Sequence, residues 1–217
     1  MKLSLNGTLV AAALLSCVIA NAKPQLRLTA SALGPVVIQQ GQAGATQTVD
    51  AANIGDGSLN LSATASASWF SPTIGASTSC HAFGSCLPVS IALNTASLTN
   101  GVYTGTVTLS DPNAVDAPQT ITVTVQIGSG VPDNVTLYAP PGGAATSSFT
   151  TASQIKATSS ASWLSVALSG AGTYAFSVPY QVKANAAGLS ANDYNGTVAI
   201  TGSSFIPDNK SIAVLLH

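Results

Sequence analysis

The feature of this chain that most restricts its fold is a repeat of itself. The segment LTNGVYTGTVTLS, residues 98–110, aligns without a gap on LSANDYNGTVAIT, residues 189–201, at an offset of 91. The same offset pairs Ile121 with Ile212, Val123 with Val214 and Val125 with Leu216, so QTITVTVQ and KSIAVLLH close two equivalent units. The tetrapeptide SASW also occurs twice, at residues 66–69 and 160–163, and carries both tryptophans of the chain. Trp69 and Trp163 are 94 residues apart, so the second unit is three residues shorter between its Trp and its Tyr, where the first carries two cysteines. Self-similarity at a fixed period identifies tandem structural units.

Within each unit the periodicity is that of strands. In Tyr103-Thr104-Gly105-Thr106-Val107-Thr108-Leu109, alternation puts Tyr103, Gly105, Val107 and Leu109 on one face and the threonines on the other. Asn100-Gly101 and Asn192-Asp193 precede the two copies of this strand as turn formers. Composition removes the competing reading of helices. Glu is absent, the chain has one Met and six Lys and Arg together, and only 6% of residues are charged, so most strong surface helix formers are missing. The expected fold is all-β: two tandem immunoglobulin-like antiparallel β-sandwiches after a cleaved signal peptide, each near the roughly 100 residues usual for such a sandwich. The predicted segments are a signal peptide at 1–22, a first domain at 23–127 with a Cys80–Cys86 loop, a linker at 128–133 and a second domain at 134–217. Trp69 and Trp163, with Tyr103 and Tyr194, are the expected core anchors, and Gly105 and Gly196 mark a bulge or a close backbone approach under the Trp ring.

The leader is legible by itself. Lys2 supplies a positive start, residues 9–20 are apolar, and Ala20-Asn21-Ala22 fits a small-x-small cleavage site before Lys23. About 12 apolar residues are too few for the roughly 20 that span a bilayer, so no transmembrane segment is expected. Leu14-Leu15-Ser16-Cys17 resembles a lipoprotein box, but the apolar run continues past Cys17, which favours soluble secretion over anchoring through Cys17. Removal of Cys17 with the leader leaves Cys80 and Cys86 as an even pair at short spacing in an exported chain. One disulfide is predicted between them.

Several functions are disfavoured by what the sequence provides. A formal net charge of −1 and six scattered basic residues argue against a nucleic-acid partner. A structural zinc site needs four ligands, and Cys80, His81 and Cys86 are joined only by a distant His217, so no metal or cofactor is expected. The aspartates stand singly in turn contexts; Asp111, Asn113 and Asp116 offer oxygen atoms but lack the spacing of a calcium loop. Neither histidine sits near a nucleophile elbow, and no catalytic residue is assigned.

The pattern Trp163-Leu164-Ser165-Val166, followed by ANAAGLSANDYNGTVAIT and a terminal alternating strand, resembles the Bacteroidetes-associated carbohydrate-binding often N-terminal (BACON) domain and related immunoglobulin-like domains of secreted bacterial proteins. The second unit fits better; the first has Trp69-Phe70-Ser71-Pro72 and the cysteine insertion instead. The resemblance implies a β-sandwich displayed by extracellular bacterial proteins, with glycan or mucin binding suggested for some members and spacer roles for others.

The expected function is therefore a non-catalytic extracellular spacer or adhesion module, with carbohydrate binding as the alternative and glycans or cell-surface proteins as partners. Sugar recognition uses exposed aromatic faces beside polar groups. The aromatics not needed for a core are Phe83, Tyr138, Tyr174 and Tyr180, and the candidate ligand-binding residues are Phe83 and His81 in the cysteine loop with Tyr174 and Tyr180. Tyr174 and Phe176 alternate, so one of the two is expected to face inward.

Overall fold

A computed structural model describes residues 23–80 and 84–217. The leader, Cys17, His81 and Phe83 lie outside the described residues. The protein is all-β: no α-helix occurs among the described residues, and none is long and apolar enough to cross a membrane.

The first nine strands are β1 (Leu26–Leu28), β2 (Ala32–Ile38), β3 (Gly44–Asn53), β4 (Ser62–Ala65), β5 (Phe70–Ile74), β6 (Thr78–Cys80), β7 (Gly84–Leu93), β8 (Gly101–Ser110) and β9 (Gln119–Ile127). They form two sheets, β1-β3-β7-β5 with β6 hairpinned onto β7, and β2-β9-β8-β4. Seven more strands follow: β10 (Asn134–Leu137), β11 (Ala144–Thr151), β12 (Lys156–Ser159), β13 (Leu164–Leu168), β14 (Val178–Asn185), β15 (Tyr194–Thr201) and β16 (Ser211–Leu216). These build the sheets β11-β14-β13 and β10-β16-β15-β12. The pairing is antiparallel except at one place in each half. There an early strand runs parallel to the closing strand, β2 beside β9 and β10 beside β16.

Two separate hydrophobic cores follow from the alternation. On β8 and β9, Val107, Leu109, Ile121, Val123, Val125 and Ile127 are fully buried, and they meet Val49, Val89, Ile91 and Leu93 of the opposing sheet. The second core repeats this with Val198, Ile200, Ile212, Val214 and Leu216 against Phe149, Tyr180, Val182 and Ala184. The threonines of β8 and β9 stand across from each other on the opposite face, Thr104 Oγ1 lying 3.2 Å from Thr124 Oγ1. A period of two with β-branched residues on both faces gives this arrangement its stiffness and its solvation together.

Candidate functional site

The repeated SASW is a corner. Residues 66–69 carry the chain from β4 in one sheet to β5 in the other, and residues 160–163 carry it from β12 to β13. The leading serine holds each corner with two bonds. Ser66 N–H donates to the Thr106 carbonyl at 3.0 Å while Thr106 N–H donates to Ser66 Oγ at 2.8 Å. Ser160 repeats this with Thr197 at 2.9 and 2.8 Å. The Trp carbonyl then accepts the N–H of Asn94 in the first unit and of Asn185 in the second, both at 2.8 Å. Small residues between the serine and the Trp allow the crossing to be this short.

The residue after each Trp is the one that enters the core. Phe70 is 1% exposed and Leu164 is 3% exposed, whereas Trp69 and Trp163 are half-buried and pack on the rims of the two cores. Trp69 meets Phe70 edge to face at 4.5 Å, and Trp163 meets Tyr194 at 6.4 Å. The tryptophans are thus clamps at the sandwich edge and not the central filler that their bulk suggests. Tyr103 and Tyr194 are half-buried in equivalent places, each donating its hydroxyl to a carbonyl four residues upstream, Thr99 at 3.1 Å and Ser190 at 3.0 Å.

The two strand glycines explain the local shape. Gly196 lies beneath Trp163, where an added Cβ would come 3.0 Å from Cζ2 of that ring. Gly105 lies beneath Phe70 instead of Trp69, with a Cβ predicted at 2.6 Å from Phe70 Cε1 and 3.1 Å from Ser66 Oγ. Gly105→Ala is therefore expected to destabilise the first sandwich by about 1–3 kcal/mol, because a close-packed ring must move. Thermal melting of the variant checks this, and an unchanged or raised melting point would contradict the packing described.

Of the four residues proposed for ligand contact, Tyr180 is internal and Tyr174 is partly buried. Tyr180 is 6% exposed, stacks on Phe149 at 5.7 Å and accepts the N–H of Ile155 on its hydroxyl at 3.1 Å. It is a core residue, placed inward by the register of β14 between β11 and β13, and has no face to offer a ligand. Tyr174 packs against the second core, with its hydroxyl oxygen buried and unpartnered, so it too is directed inward. Phe176 packs against the first core. Cys80 and Cys86 are disulfide-bonded with Cα atoms 5.3 Å apart, joining β6 to β7. His81 and Phe83, between them, fall outside the described residues.

The buried Asp111 and the exposed Asp116 hold loops. Asp111 accepts backbone N–H groups from Asn60 at 2.7 Å and Asn113 at 2.8 Å, and Asp116 accepts the Gln25 side-chain amide at 2.7 Å. No group of three or more potential metal-ligating side chains occurs among the described residues. Sequence reasoning missed Asp208, which is fully buried in a 3-10 turn, Ile206–Asp208. Its oxygens accept the Ser129 hydroxyl at 2.7 Å, the Ala152 N–H at 2.8 Å and the Ser203 hydroxyl at 2.9 Å. The Pro-Asp pair in Ser203-Ser204-Phe205-Ile206-Pro207-Asp208 carries no local signal for this, because two of the three donors lie more than fifty residues away in the sequence.

The surface feature with most chemical character lies at the far end of the second sandwich. Ala139, Pro141, Ala186, Leu189, Tyr194 and Leu216 line a depression of about 190 Å³, with Asn192, Asp193 and His217 on its rim. Tyr138 is 74% exposed and stacks on His217 at 4.9 Å with an interplanar angle of 14°. Asp193 Oδ1 lies 2.7 Å from His217 Nδ1 and fixes that ring. An aromatic face, a hydrogen-bonding rim and an apolar floor therefore converge here.

Residues 132–208 match the family model of the viral BACON domain. No curated protein matches the chain. Among solved structures, zebrafish RET cadherin-like domains 1 to 4 superpose with a TM-score of 0.34 at 8% identity, covering 90% of this chain and 50% of that one. The secreted serine protease VesC from Vibrio cholerae gives 0.34 at 11% identity over 85% of this chain and 51% of that one. Protocadherin gamma B7 extracellular cadherin domains 1–4 give 0.31 at 12% identity over 91% and 51%. The chain spans about half the length of each of these three. The fold is established by the strand pairing itself, and its second sandwich is similar to the viral BACON domain.

Proposed function

We propose that the protein is an exported, non-catalytic module whose two sandwiches serve as an extracellular spacer or adhesion unit. The observation that carries this reading is the way the joint is built. Ser129, in the stretch between β9 and β10, donates to the buried Asp208 carboxylate, and Phe176 packs against the first core. Polar and apolar contacts together hold the connection, which suits a part that sets a distance. Export is supported by the leader pattern in the sequence and by the Cys80–Cys86 disulfide, since disulfides persist in oxidising compartments. Small-angle scattering of residues 23–217 tests the spacer reading. One elongated shape fitting the whole curve is expected, and a curve that demands freely reorienting sandwiches would refute a fixed spacing.

A second reading is carbohydrate binding, favoured by exposed Tyr138 stacked on His217 beside Asp193. The apolar face of a sugar ring stacks on an aromatic, and its hydroxyls pair with such a rim. A glycan-array screen of the same residues beside Tyr138→Ala decides it: saturable binding lost in the variant establishes this reading, and no binding above background removes it.

A further inference from the structure

The parallel pair in each sandwich fixes where the chain arrives and where it departs. β2 lies beside β9 with Ala32 against Thr122, Leu33 against Val123 and, past a register shift, residues 36–38 against 125–127. β10 lies beside β16 in the same sense, residues 134–137 against 213–216. Parallel strands keep their N-terminal ends together. The chain reaches β2 and β10 at that end and leaves β9 and β16 at the other, so it enters and exits each ribbon at opposite ends. An antiparallel pair in the same place would bring both to one end.

Tension along the chain therefore pulls the two strands of each ribbon past one another along their own axes. Sliding strains all the cross-strand bonds at once, whereas a pull from one end breaks them singly. The ribbons are tied beyond their paired residues as well. In the first, Thr122 N–H donates to the Ser31 carbonyl at 2.9 Å and Gly128 N–H to that of Ile38 at 2.8 Å. In the second, Ala213 N–H donates to the Asp133 carbonyl and His217 N–H to that of Leu137, both at 2.9 Å, and Ala139 N–H donates to the His217 carbonyl at 3.0 Å. Sliding must also draw the buried Leu33, Ile38, Val135 and Leu137 out of the two cores.

The joint passes load from one ribbon to the next with little slack. Gly128 closes the first ribbon and Asp133 begins the second; between them Ser129 is bonded to Asp208 and Val131 is 2% exposed in the second core. We propose that the protein bears tension, and that load applied between its two ends is carried in shear by β2–β9 and then by β10–β16. Release of β1, which pairs with β3 over three residues, leaves the β2–β9 ribbon as the barrier. The stapled hairpin of β6 and β7 belongs to the opposite sheet and lies off this path.

Force spectroscopy on single molecules of residues 23–217 tests the proposal by comparing two directions of pull. In the first, handles sit at the two ends and load both ribbons in shear. In the second, the C-terminal handle is moved to Ser211→Cys, an exposed position at the N-terminal end of β16, beside the entry to β10. Cys80 and Cys86 are bonded to each other, so the introduced thiol takes the handle alone. That pull peels β10 from β16 and leaves the load on β2–β9 as it was. The two sandwiches are told apart by the chain they release, the first being the longer. The second sandwich is expected to unfold at a severalfold lower force when peeled than when sheared at the same pulling rate, with the first unchanged, because forced unfolding reads the barrier along the direction of pull. An unchanged melting point establishes that Ser211→Cys is folded. Equal forces for the second sandwich in the two directions overturn the proposal. Load bearing rests on the spacer reading, since tension needs an attachment at either end, but the two fail separately: a single shape in scattering together with equal forces keeps the spacer and removes the load-bearing role.

Discussion

Phe70→Ala is expected to lower the stability of the first sandwich by about 3–5 kcal/mol, the range for removing a large aromatic from a closed core. The ring is 1% exposed, lies between the two sheets and covers Gly105, so its loss leaves a cavity that β7 and β8, each held by its neighbours in its own sheet, cannot collapse into. Trp69→Ala, although it deletes a larger side chain, is expected to cost roughly 1–2 kcal/mol, because the indole is half-buried on the rim and gives up less apolar area. Leu164→Ala provides the matching change in the second sandwich and should cost about 2–5 kcal/mol there. Urea unfolding followed by circular dichroism measures all three. The two cores are separate, so each substitution should move one transition and leave the other in place. A Trp69→Ala cost equal to that of Phe70→Ala would show that the tryptophan, and not its neighbour, is the central filler.

Asp208→Ala should be nearly as damaging. It strands the Ser129 hydroxyl, the Ala152 N–H and the Ser203 hydroxyl around a fully buried position. Hydrogen bonds to a charged group contribute about 1.5–3 kcal/mol each, and the three share one acceptor, so a loss on the order of 3 kcal/mol is expected. The loss should be accompanied by faster hydrogen exchange at Ala152, whose amide would have no partner. Asp208→Asn keeps an acceptor and is expected to fall between wild type and Asp208→Ala. If Asp208→Ala melted with wild-type stability, the carboxylate would have no part in tying residues 129, 152 and 203 together.

Much of this architecture was readable in the residues because the interactions that fix it are local or repeated. The alternation in residues 103–109 and its copy at 194–200 fixes which side chains enter the core, since a period of two leaves a half-buried strand no other choice. The Cys80–Cys86 pair is separated by six positions, short enough to be read from spacing and compartment alone. Trp69 misled because side-chain bulk suggests depth, whereas the crossing from β4 to β5 leaves the Trp half-buried on the rim of the core and sends Phe70 inward. Tyr180 misled for a related reason: an isolated aromatic between Pro179 and Gln181 has no visible partner until β14 is seen flanked on both sides.

The sequence by itself determined that this chain is all-β, that its unit is duplicated and that small residues and a serine precede each tryptophan, because period, composition and repetition are properties of neighbours along the chain. Only the tertiary structure decided that Ser66 and Ser160 clamp corners, that Asp208 gathers donors from three segments, and that one end of the second sandwich brings Tyr138, Asp193 and His217 together. Those groups are remote in sequence, and their meeting depends on how two sheets pack face to face, a relation set by burial of both apolar faces at once and by no single stretch of residues.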